Sequence, residues 1–285
     1  MLARFRRKGP VTRRARQRDS FRGVLMTQDF IQNFSLAGRT VLITGASSGI
    51  GAHLARVAGH AGARVVLTAR RVERLAQVAK DIEWDCGQAL SVELDVTDRN
   101  SVEAAFDAAE AHFGVVDVVL NNAGIGNGQR PLEISEEQWR EMLSTNLDGV
   151  WRVAQVAAQR LAKAGRKGSI VNVASILGLR VSTGYSHYCA AKAGVVQLTK
   201  SLALELARYN IRVNAIAPGY FKTEMNEAFF EGDKGNSYIR DRVPMRRLGQ
   251  LHELAGPFLL LASDAGAFMT GSVLTVDGGH LVSSM

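Results

Sequence analysis

Thr40-Val41-Leu42-Ile43-Thr44-Gly45-Ala46-Ser47-Ser48-Gly49-Ile50-Gly51 is the stretch that decides the fold. It opens on a short apolar and β-branched run without alternation, the pattern of a strand buried on both faces. Three glycines follow in G-x-x-x-G-x-G spacing, and residues 52–61 then read as a helix. A strand, a glycine turn and a helix in that order suit a pyrophosphate. Glycine lets the backbone approach closely, and the helix N-terminus offers free N–H groups and a partial positive charge. Tight turns also use glycine, so the position after the first strand carries the reading. The expected ligand contacts in the turn are Gly45, Ser47, Ser48, Gly49, Ile50 and Gly51.

Outward from this turn, strand-like runs alternate with longer helical patterns. The runs are 40–43, 64–68, 90–94, 115–120, 169–173, 211–216 and 273–276. Helical periodicity fills the gaps, as at 72–83, 101–113, 136–163 and 188–208. Such repetition predicts one doubly wound α/β domain, a parallel sheet with right-handed crossovers and helices on both faces. The domain should span 36–285, behind a basic extension at 1–35.

The chain has 285 residues, 46% of them hydrophobic, with a formal net charge of +8. The apolar content excludes wholesale disorder, and no apolar run is long enough to span a bilayer. The net charge is local: residues 1–25 hold nine basic side chains against Asp19 alone, which leaves the body neutral. The body therefore has no global field for nucleic acid or an anionic membrane, and neither is expected as a partner. The basic segment admits three readings: a disordered tail ahead of a start at Met26, a mitochondrial-type targeting segment, or a nucleic-acid-binding arm. Cys86 and Cys189 lie too far apart for a disulfide framework, which suits a reducing compartment: the cytoplasm, or the mitochondrial matrix under the targeting reading. The histidines show no ligand spacing, so no metal site is predicted.

Three positions carry chemistry. The second strand ends Ala69-Arg70-Arg71, where an NAD site usually has an acid on the ribose 2′-hydroxyl. Arg70 would favour a 2′-phosphate instead. Tyr188 and Lys192 stand at i and i+4, on one face of a helix. An ammonium fixed beside a phenol would lower the phenol's ordinary pKa of about 10. Tyr185, the rival phenol, has Cys189 at that spacing. Ser175 ends the fifth strand, on the face where such sheets bind ligands, and would polarise a carbonyl there.

Taken together, Thr44-Gly45-x3-Gly49-x-Gly51, Asp95-Val96, Asn121-Asn122-Ala123-Gly124, Asn146, Ser175, Tyr188-x3-Lys192 and Pro218-Gly219 with Thr223 resemble the short-chain dehydrogenase/reductase family along residues 36–285. The resemblance implies a seven-stranded sheet in order 3-2-1-4-5-6-7 and the catalytic set Asn146, Ser175, Tyr188 and Lys192. Tyr188 would exchange a proton with the substrate oxygen, and Ser175 would orient the carbonyl. Lys192 would lower the phenol pKa and hold the nicotinamide ribose, and Asn146 would hold a water that links Lys192 to solvent. Asp95 and Val96 would flank the adenine; Asn122, Ala123 and Gly124 would line the cofactor channel. Pro218, Gly219, Phe221 and Thr223 would lie on the nicotinamide side. The implied cofactor is NADP(H), with NAD(H) as the alternative, and the implied assembly is a homotetramer. Apolar residues of the 188–208 helix, Ala191, Val195, Val196, Leu198 and Leu202, agree with such an assembly, as does the apolar carboxyl end.

The implied substrate is a small ketone or secondary alcohol. The segment 220–248 should form a lid lined by Phe221, Phe229, Phe230, Tyr238 and Met245. Arg240, Arg242, Arg246 and Arg247 would form a basic rim, extended by Arg166, Lys167 and Arg208 if these lie near the mouth. An apolar channel with a basic rim favours a 3-oxoacyl thioester. A sugar acid or polyol is the alternative, and a catalytically silent dinucleotide-binding regulator is the rival from another class.

Overall fold

The computed structural model describes residues 30–85, 87–223, 230 and 232–283. The basic segment 1–25, Cys86 and Phe229 lie outside them. Seven strands form one parallel sheet: β1 (Thr40–Thr44), β2 (Arg64–Ala69), β3 (Gln88–Glu93), β4 (Val118–Asn121), β5 (Gly168–Val173), β6 (Ile211–Pro218) and β7 (Val273–Val276). Their order is β3-β2-β1-β4-β5-β6-β7, the order expected. The fourth strand starts at Val118 rather than 115, since residues 115–117 only lead into it.

Successive residues of a strand point to opposite faces, and here both faces are apolar. Val41, Ile43, Val65, Leu67, Val118, Leu120 and Val171 face one side of the sheet. There they pack against α1 (Gly49–His60), α2 (Leu75–Trp84) and α8 (Ala255–Ala262). Leu42, Val66, Val119, Ile170 and Val213 face the other side. Their neighbours are α3 (Arg99–Phe113), α5 (Gly149–Lys163) and the end of α6 (Ser186–Leu206). Continuous rather than alternating hydrophobicity in the strands has this as its cause. Ala191, Val195 and Val196 of α6 are buried within the chain's own core, so they are not the spare apolar surface expected of that helix.

The long helical pattern at 136–163 is two helices. A capping box between Ser135 and Gln138 starts α4 (Glu136–Leu143). A π turn, Ser144–Asp148, then separates α4 from α5. The apolar periodicity runs through this turn, which is why the sequence reads as one helix. A short helix, α7 (Asp233–Arg242), belongs to the segment over the carboxyl ends of β6 and β7. Among the described residues, no helix is long and apolar enough to cross a membrane.

Candidate active site

All strands point the same way, so the loops after β1 to β6 converge at one edge of the sheet, where such folds bind ligands. A cleft of about 330 Å³ lies there, lined by Gly45, Ser47, Ser48, Gly49, Ile50, Arg70, Asp95, Val96, Asn122, Ala123, Gly124, Ser175, Tyr188, Lys192, Pro218, Gly219, Phe221 and Thr223. These are the residues read from the sequence for this edge, save Asn146, which is buried just behind it. Arg71, Leu94, Thr97, Ile125, Thr145, Val173 and Ala174 join them. Most are immediate chain neighbours of expected residues, and that adjacency was the available signal.

The floor of the cleft is the glycine turn, and its fit to a pyrophosphate can be tested on its geometry. Gly45 and Gly49 adopt φ of +66° and +56°, which disfavour a side chain. A Cβ on Gly51 would stand 2.2 Å from the Gly45 carbonyl oxygen and 2.4 Å from Asn122 Nδ2. The turn is therefore closed against its own backbone and open towards the cleft, at the start of α1. Asn122 clasps it: Nδ2 donates to the carbonyls of Thr44 and Gly45, each at 3.0 Å. Thr44 Oγ1 in turn accepts from the N–H groups of Asn122 and Ala123. Loop β4 and turn β1 are thus one rigid unit, and its cradle fits a dinucleotide.

At the far end, Ala69 closes β2 and the exposed Arg70 and Arg71 follow. Arg70 stands close enough to help hold the Asp95 carboxyl below its ordinary range. Hydrogen bonds from the N–H and hydroxyl of Thr97 to Asp95 Oδ1 do the same against the cost of burial. No acid stands at the end of β2 to take a ribose hydroxyl.

At the near end, Tyr188 lies in the first turn of α6, with Lys192 one turn on. The Lys192 Nζ donates to the Val173 carbonyl at 2.8 Å and stands 5.7 Å from the Tyr188 ring centre. Burial pushes the Tyr188 phenol up to about 12 and the Lys192 ammonium down to about 8; the Ser175 hydroxyl acts on the phenol in the opposite sense. The phenol thus stands above its ordinary value, where the sequence predicts a lowering by Lys192, because burial penalises both charged forms. Ser175 ends β5, and its Oγ accepts from the Leu177 N–H at 3.1 Å. The adjacent His187 is buried, and burial lowers its pKa.

The Asn146 side chain has a structural task that sequence reading did not give it. Oδ1 accepts from the Ile125 N–H and Nδ2 donates to the Ile125 carbonyl, both at 2.8 Å. It pins the loop after β4 to the π turn.

The lid and the basic rim also differ from expectation. Phe230, Ile239 and Val243 are buried against Tyr220, Tyr238 and Leu248, forming a core of the segment's own rather than a lining. Met245 is exposed. Arg166 and Lys167 directly precede β5, and Arg208 precedes β6, which puts them at the amino ends of the strands, opposite the cleft. Arg166 pairs with Asp117, Lys167 with Asp264, and Arg247 holds both oxygens of Glu253.

A glycine-cradled cleft at the switch edge of this sheet, with a hydroxyl, a phenol and an ammonium at its end, defines a dinucleotide-dependent oxidoreductase class. Residues 45–280 match the family model described as Enoyl-(Acyl carrier protein) reductase. Gluconate 5-dehydrogenase of Gluconobacter oxydans is 38% identical over 250 residues, 88% of this chain and 97% of that protein. The 3-oxoacyl-[acyl-carrier-protein] reductase FabG of Thermotoga maritima is 38% identical over 247 residues, covering 87% and 99%. The crystal structure of a gluconate 5-dehydrogenase from Burkholderia cenocepacia in complex with NADP and tartrate superimposes with a TM-score of 0.85 at 37% identity, over 89% of this chain and 99% of that one. The chain belongs to the short-chain dehydrogenase/reductase family, whose members act as oxidoreductases on CH–OH groups.

Proposed function

We propose that the protein is an NADP(H)-preferring enzyme that interconverts a ketone and a secondary alcohol on a small polar substrate. The convergence of Ser175, Tyr188 and Lys192 at one end of a cleft whose other end holds Arg70 and Arg71 carries this reading. The nicotinamide, when bound, supplies or accepts the hydride. The Tyr188 hydroxyl exchanges the proton of the substrate oxygen, and a phenol held neutral by burial is a ready donor in the reducing direction. The Ser175 hydroxyl, on a backbone fixed by β5, orients the carbonyl. Lys192, held by the Val173 carbonyl, presents its charge beneath the phenol and to the ribose. Asn146 positions the cofactor loop through Ile125. Gly45 to Gly51 cradle the pyrophosphate, and Arg70 and Arg71 select the 2′-phosphate.

On the substrate, the 3-oxoacyl thioester reading rested on an apolar lid lining and a basic rim. Phe230 and Tyr238 are turned into the segment's own core and Met245 is exposed, which leaves Phe221 on the cleft, and three of the seven rim residues lie at the other end of the sheet. A hydroxy or keto acid of the sugar-acid type is therefore the reading we adopt; similarity to gluconate 5-dehydrogenases and to a 5-keto-D-gluconate 5-reductase agrees with it. The full set of acid–base groups speaks against a silent regulator. Tyr188→Phe should abolish turnover of a keto-sugar acid with NADPH while NADPH binding, followed by fluorescence, stays within a few-fold. A Tyr188→Phe enzyme that keeps most of its rate defeats the mechanism, and preference for acetoacetyl thioesters over keto acids defeats the substrate class.

A further inference from the structure

We propose that Arg180 is the anchor for the substrate carboxylate, an inference that rests on the keto-acid reading above and adds to it the residue that recognises the charge. Arg180 lies five residues beyond Ser175, just after the 3-10 turn Ile176–Gly178. It is partly buried, and its Nη1 donates to the His280 carbonyl, which ties the loop after β5 to the segment after β7. The buried His280 ring stands 5.4 Å from the ring of Tyr220 and 6.1 Å from that of Tyr238. The Tyr220 and Tyr238 hydroxyls are 3.4 Å apart. On the side of the reacting groups, Tyr185 meets Tyr188 edge-on at 6.3 Å, and both Tyr185 and Arg180 act electrostatically on the Tyr220 hydroxyl. Two aromatic clusters thus stand on this side of the molecule, Tyr185 with Tyr188 and Tyr220 with Tyr238 and His280, and Arg180 is tied to the second.

The charge balance around Arg180 is the informative part. Arg56, Arg160, Arg166 and Arg247 each have a carboxylate partner, whereas Arg180 has none among the described residues. The acid nearest in the chain to His280, Asp277, already accepts from the N–H groups of Gly279 and Leu281. With Nη1 spent on His280, Nη2 and Nε remain, enough for a two-point grip on a carboxylate. A bare acyl chain in this place would offer no acceptor to Nη2 and Nε, a costly arrangement for a guanidinium drawn away from water. A carboxylate offers two. Arg242 also faces His280 electrostatically but is exposed, which makes it the natural control.

The test uses a 5-keto-sugar acid and the uncharged ketose of the same skeleton, each with NADPH. Wild type should prefer the acid. Arg180→Met should raise KM for the acid by about 30-fold or more, the effect of losing one charge-assisted pair, with kcat within about threefold. Ketose kinetics should stay unchanged, and they serve as the check on folding. Arg180→Lys, which keeps the charge but loses the two-point grip, should recover part of the acid's KM, and Arg242→Gln should leave it unaltered. Equal loss on both substrates would assign Arg180 to holding the carboxyl-terminal segment and overturn the proposal, as would an indifferent Arg180→Met or a wild type blind to the charge. If wild type prefers acetoacetyl thioesters, the substrate class itself falls and the anchor with it. Acid preference with an indifferent Arg180→Met removes the anchor alone.

Discussion

Lys192 is a buried ammonium that donates to a neutral carbonyl, that of Val173, and that has a consequence for stability. Its pKa falls from the ordinary 10.5 to about 8 because burial disfavours the charged form. Below pH 8 both folded and unfolded chains carry the proton, and the burial cost is present in full. Between pH 8 and 10.5 the unfolded chain binds more protons than the folded one, so this residue's contribution to stability rises with pH. Tyr188 works the other way: raised from 10 to about 12, it keeps its proton in the folded chain and loses that advantage as pH climbs through this window. Stability of the cofactor-free protein should therefore climb from pH 8 to 10 and then turn over, with Lys192 contributing at most about 3 kcal/mol. Urea unfolding of Lys192→Met should show a flatter pH dependence over 8–10. An unchanged slope would mean that the ammonium is not desolvated as described. None of this balance is visible in the spacing of Tyr188 and Lys192, which reports proximity and not burial.

At the scale of the elements, the glycine turn and the π turn show opposite degrees of legibility. The turn could be read because its glycines, its place after β1 and its helix form a local pattern. Gly51→Ala should destabilise the fold by about 1–3 kcal/mol through overpacking against Gly45 and Asn122, and should weaken NADPH binding at least tenfold. Gly256→Ala, in α8 with nothing within 4 Å of the added carbon, should be neutral or slightly stabilising. Thermal melts with and without NADPH separate the two; an unaltered Gly51→Ala protein would contradict the tight closure. The π turn was hidden because α4 and α5 keep a continuous apolar stripe, and an extra residue in one turn leaves no compositional trace. The strands were legible because burial on both faces leaves unbroken apolar runs. Ion pairing of the arginines was not, since it depends on which residues the fold brings together. Which end of the sheet Arg166, Lys167 and Arg208 occupy was available, however: a residue just before a strand lies at its amino end, away from the ligand edge.

For the whole molecule, Trp151 on α5, Leu204 on α6, Phe268 and Val282 leave large apolar surface in water, with Leu204 82% and Phe268 fully exposed. Surface of this kind suits contact with further copies of the chain, and the family resemblance implies four. Light scattering at micromolar concentration should give about four times the chain mass of 30.9 kDa; a particle of single-chain mass would refute self-association. The Asn122 clasp, finally, has a meaning in time as well as in space. It joins residues 78 positions apart, and β1 meets β4 only after the chain has left it to form β2 and β3. Contacts so distant in sequence cost loop-closure entropy before they return any energy, which makes them slow to form. The cradle is thus a late product of folding: a nascent chain can hold its first strand, glycine turn and helix and still lack the clasp that fixes the turn for a dinucleotide.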